Sequence, residues 1–92
     1  MASEHLHRTH PDIAKRLRRA GGHLRSVIEM IENNRPCLDL AQQLHAVEKA
    51  IGQAKKTLIQ DHVDHCLDEA VDQPAKERRR AVQEFKAIAK YL

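Results

Sequence analysis

Residues 36–71 read PCLDLAQQLHAVEKAIGQAKKTLIQDHVDHCLDEAV. Leu40, Leu44, Val47, Ile51, Ala54 and Leu58 recur here at steps of four and three. That period gathers apolar side chains on one side of an α-helix. Cys37 stands in heptad register with Leu44, Ile51 and Leu58. With Pro36 at one edge and Asp72-Gln73-Pro74 at the other, the pattern predicts a helix from about Pro36 toward Val71. This is far longer than the usual globular helix. His62 and Cys66 are four apart, so they project from one face and can grip one metal ion. Cys37 cannot join them along the same rod: 25 residues of helix at ~1.5 Å each separate it from His62 by about 37 Å. Either a second, antiparallel copy of the chain supplies Cys37, or the helix breaks, most plausibly near Gly52.

On the N-terminal side, Asn33-Asn34-Arg35-Pro36 ends an earlier helix. It should start near Pro11, with Thr9 as N-cap and proline accepted in the first turn. Its apolar residues, Ile13, Leu17, Ala20, Leu24, Val27, Ile28 and Ile31, form a seam for a partner helix. Lys15, Arg18, Arg19 and Arg25 fall opposite that seam, with Arg16 on the flank. Gly21-Gly22 interrupts it, at about 1 kcal/mol per glycine relative to alanine. On the C-terminal side a third helix is expected from about Ala75 to Leu92, carrying Val82, Phe85, Ile88, Ala89 and Leu92. Residues 1–10 are polar and contain His5, His7 and His10. They are expected to form a mobile arm, or simply a frayed or cloning-derived end, ahead of one domain over 11–92.

Ninety-two residues with one Phe, one Tyr and no Trp must build a core from Leu, Ile, Val and Ala. The composition indicates an all-α domain, and narrow apolar stripes in so short a chain require a partner to cover them. The net charge is only +3, so the placement of charge matters more than its total. No run of eighteen apolar residues suggests a membrane span, and the N-terminus shows no apolar signal-peptide core. The expectation is a cytoplasmic protein whose two cysteines stay reduced and serve as ligands rather than as a disulfide.

Thiolate and imidazole suit Cu(I), Zn(II), Ni(II) and Co(II). The residues alone leave a second reading open. Cys37 can be a small buried seam residue, and His62 and His65, among Asp61, Asp64 and Asp68, can belong to a solvated face. Cysteine-based catalysis has no support: there is no Gly-rich loop, strand scaffold or aromatic pocket wall, and the chain is not expected to be an enzyme. The basic stripe of the first helix, extended by Lys49, Lys55 and Lys56, is either a solvated face or a phosphate-binding surface. No helix-turn-helix signature accompanies it. Arg78, Arg79 and Arg80 read as a solvated face.

Four segments carry a resemblance: Arg19-Ala20-Gly21-Gly22-His23-Leu24, Pro36-Cys37-Leu38-Asp39, Gln42-Gln43-Leu44-His45-Ala46-Val47 and Asp61-His62-Val63-Asp64-His65-Cys66. Together they resemble the CsoR/RcnR-type bacterial metal-sensing repressors over about residues 11–92. The resemblance implies three helices per chain and an antiparallel dimer forming a four-helix bundle. Two dimers make a homotetramer. It further implies a repressor that holds the operator of a metal-efflux gene in the apo form and releases it on binding metal. Double-stranded operator DNA would be met by basic residues of the first two helices, here Lys15, Arg16, Arg18, Arg19, Lys49 and Lys56. The ligands carry over as Cys37 of one protomer with His62 and Cys66 of another, a set that copper members use for Cu(I). Nickel and cobalt members add an N-terminal histidine, which His5 matches, with His7 as the near alternative. The His-containing arm, residues 53–62 and Glu84-Phe85-Lys86 resemble the nickel/cobalt-responsive branch most, so Ni(II) or Co(II) is the expected effector and Cu(I) the alternative. A metal-buffering protein without a DNA role uses the same ligands and stays in view.

Overall fold

The computed structural model describes residues 9–92, with the side chains of all but residues 69 and 70. It contains three α-helices: α1 (His10–Glu32), α2 (Cys37–Ala70) and α3 (Ala75–Ala89). There is no strand among the described residues. The long second helix is confirmed and runs unbroken through Gly52 for 34 residues. The alternative of a break there is thereby removed.

The helix ends follow from local chemistry. Thr9 occupies the N-cap position of α1 with Pro11 in the first turn, but its hydroxyl makes no cap bond. It donates instead to Asp61 Oδ2 at 2.8 Å, pinning the start of α1 to the far end of α2. At the other end Asn34 takes φ 57°, a left-handed conformation that asparagine tolerates better than most residues. Arg35 N–H donates to the Met30 carbonyl and Asn34 N–H to that of Ile31, the paired closure that satisfies the last carbonyls of a helix. Pro36 then opens α2, and Pro74 opens α3 after the break at residues 72–74. The third helix stops at Ala89, three residues short of the expected end, with Tyr91 and Leu92 bonded back through single turns.

Helices α1 and α2 pack as an antiparallel hairpin, and α3 folds back on the end of α2; among the described residues α1 and α3 do not touch. The core is thin. Ile13, Ala20 and Val27, spaced by seven, meet Val47 and Ala54 of α2, and Ile59 completes the buried set. The expected seams therefore split into two rows. One row is buried in the hairpin. The other, Leu17, Leu24, Ile28 and Ile31 on α1 with Leu44, Ile51 and Leu58 on α2, stays 36–51% exposed. The chain measures 59 × 24 × 14 Å with a radius of gyration of 18.2 Å, against about 12 Å for a compact domain of this length.

Candidate metal centre and basic groove

The last two turns of α2 carry His62 and Cys66 one turn apart, both half-buried. They face α3, which returns antiparallel beneath them. Cys66 Sγ lies 3.7 Å from Glu84 Oε2 and 3.9 Å from the Ala81 carbonyl oxygen, close enough for its weak S–H donor to point at α3. One donor atom each from His62, Cys66 and Glu84 falls within 4.8 Å of the other two. Metal–ligand bonds of about 2.0–2.3 Å place ligands roughly 3.5 Å apart in a tetrahedron, so a small change of side-chain rotamer brings the three onto one ion. Donor chemistry and spacing both fit a transition metal.

Cys37 is not part of this cluster. It is exposed at the first turn of α2, about 37 Å of helix away from His62. His5 and His7 lie outside the described residues. His10 is exposed as the first residue of α1 and is not a member of the trio. Glu84 escaped the sequence reading as a ligand. The available signal was its place three residues after Ala81, on the flank of the row Ala81, Phe85 and Ile88 that turns toward α2.

The proposed DNA-contacting residues are all exposed, and the fold sorts them. Arg16, Arg19, Ala20 and His23 of α1 line an open groove of about 300 Å³ with Ala50 and Gln53 of α2. Gln53 lies between Lys49 and Lys56 on one stripe of α2, at steps of four and three. Lys15 and Arg18 occupy the neighbouring stripe of α1 and do not line the groove. Arg16 also sits 3.7 Å from Asp12, one turn back. An exposed pair of this kind is weak and yields readily to a phosphate. His23 Nε2 donates to Gln43 Oε1 at 2.6 Å, locking the two walls of the groove together.

Residues 9–91 match the family described as metal-sensitive transcriptional repressors. The chain belongs to that family. Its members are repressors and not enzymes. The chain is 40% identical over 58 residues to the copper-sensing transcriptional repressor RicR of Mycobacterium tuberculosis, covering 63% of this chain and 60% of that one. It is 37% identical over 59 residues to the copper-sensing transcriptional repressor CsoR of Bacillus subtilis, covering 64% and 58%. To CsoR of Mycobacterium ulcerans it is 36% identical over 56 residues, covering 61% and 48%. The matched stretch thus spans roughly half to three fifths of these relatives. No solved structure matches the chain significantly. No described helix is long and apolar enough to cross a membrane.

Proposed function

We propose that this chain is a cytoplasmic repressor that holds operator DNA through the basic groove of α1 and α2 and releases it on binding metal. Cys37 of one copy, with His62 and Cys66 of a second, antiparallel copy, would hold the ion. The observation that carries this reading is the unbroken α2, which sets Cys37 and Cys66 at opposite ends of one rod. When bound, the ion supplies a link between two chains that nothing in one chain can make. Drawing the two α2 ends together changes how the rods lie against each other, and with it the spacing of the grooves on their flanks. The metal-bound arrangement then fits DNA less well than the apo one, which is the differential affinity a switch needs. A homotetramer, two antiparallel pairs, presents several grooves to one duplex.

Two thiolates with one imidazole form a soft set that suits Cu(I). Relatives named as copper-sensing support Cu(I) as effector ahead of the Ni(II) or Co(II) expected from the sequence. One observation favours a divalent ion as second reading: the carboxylate of Glu84 beside His62 and Cys66.

Anisotropy of a labelled duplex from the chain's own promoter tests the proposal. Apo protein should bind at low salt and be released by Cu(I), and neither Cys37→Ala nor Cys66→Ala should respond. Mixed pairs of those two variants regain one intact site and should respond in part. A protein that fails to bind duplex DNA even when apo is a metal buffer rather than a repressor.

A further inference from the structure

Glu84 introduces a donor that the shared thiolate site does not call for. His62, Cys66 and Glu84 offer a nitrogen, a sulfur and a carboxylate oxygen from two helices of a single chain, all within 4.8 Å of one another. A carboxylate adds nothing for Cu(I), which selects soft thiolate and imidazole ligands, whereas Zn(II) and its borderline neighbours accept mixed nitrogen, sulfur and oxygen sets. Glu84 itself is exposed while His62 and Cys66 are half-buried, so the trio opens to solvent on the α3 side and an ion has a way in.

We propose that His62, Cys66 and Glu84 form a second, single-chain binding mode for a borderline divalent cation, Zn(II), Co(II) or Ni(II), that does not need Cys37. On binding, the Cys66 thiol gives its proton to solvent and its S–H contact to Glu84 is replaced by joint ligation with it. The mode shares two ligands with the site under the proposed function, so the two compete for His62 and Cys66. It also ties α3 to α2, whereas the Cys37-containing set ties one copy to another. Glu84 is therefore the residue that separates a divalent response from a Cu(I) response.

The test uses the full reduced chain with Co(II) as a coloured probe. Co(II) should bind with a thiolate charge-transfer band and tetrahedral ligand-field absorption. Glu84→Ala should weaken it by at least about tenfold, the loss that removing even an outer-shell partner produces. Glu84→Gln keeps size and helical tendency and should give the same loss if the alanine variant folds poorly. Cys37→Ala should keep the Co(II) spectrum while losing the Cu(I) response. A Glu84→Gln protein that binds Co(II) as tightly as the unsubstituted chain, or a Cys37→Ala protein that no longer binds it, overturns the proposal. Failure here leaves Cu(I)-driven operator release standing, and failure of that release leaves the Co(II) titration readable.

Discussion

His23 and Gln43 meet at 2.6 Å on the rim of the groove that should face DNA, so one contact serves both packing and presentation. Gln43→Ala leaves the His23 ring N–H without its partner and should destabilise the fold by about 1 kcal/mol, read as a lowered urea midpoint. Operator affinity should fall with it, because the α1 wall of the groove loses its fixed setting. Arg16 acts differently, since its contact with Asp12 is exposed and weak. Arg16→Ala should leave the urea midpoint in place and reduce the salt dependence of operator binding by about one unit of slope. Thr9 reaches the residue next to His62 through Asp61. Thr9→Val removes that donor, and hydrogen exchange should speed up in the first turn of α1 while the middle of the helix stays protected.

Glycines distinguish the faces of α1. Nothing lies within 4 Å of a Cβ placed at Gly21 or Gly22, and neither has a positive φ. Gly22 stands on the polar side with Lys15 and Glu29, so Gly22→Ala should raise stability by up to about 1 kcal/mol. Gly21 falls in step with Leu17, Leu24 and Ile28, inside the exposed apolar row. Gly21→Ala should instead weaken self-association, as sedimentation would show, because a second helix loses its close approach. The extent of α2 was legible from its heptads and from the prolines that bound it. Which seam row turns inward was not, because both rows are equally apolar and only the α1–α2 pairing chooses between them. The trio was half legible: i, i+4 spacing placed His62 and Cys66 together, but the approach of Glu84 depends on the turn at residues 72–74, whose angle no periodicity records. Cys37 was legible as a residue that cannot close the site within its own helix.

At the scale of the whole molecule, a 59 Å hairpin with six buried apolar side chains has little to hold it folded alone. Its second apolar row, Leu17, Leu24, Ile28, Ile31, Leu44, Ile51 and Leu58, runs the length of the hairpin and should be covered by another copy. Leu24→Glu with Ile51→Glu puts charge in the middle of that row. The doubly substituted chain should sediment as a monomer with much of its helical circular dichroism lost, and release of DNA by metal should vanish with the oligomer. A double variant that remains associated and fully helical would show that the row is not the interface. So thin a single-chain core also makes abundance an input. Where folding and pairing are one event, stability rises with protomer concentration. Newly made or diluted chains stay open to proteases until they find a mate, so the number of working repressors falls faster than the rate of synthesis. A modest change in expression would then shift the metal threshold with no change at any ligand.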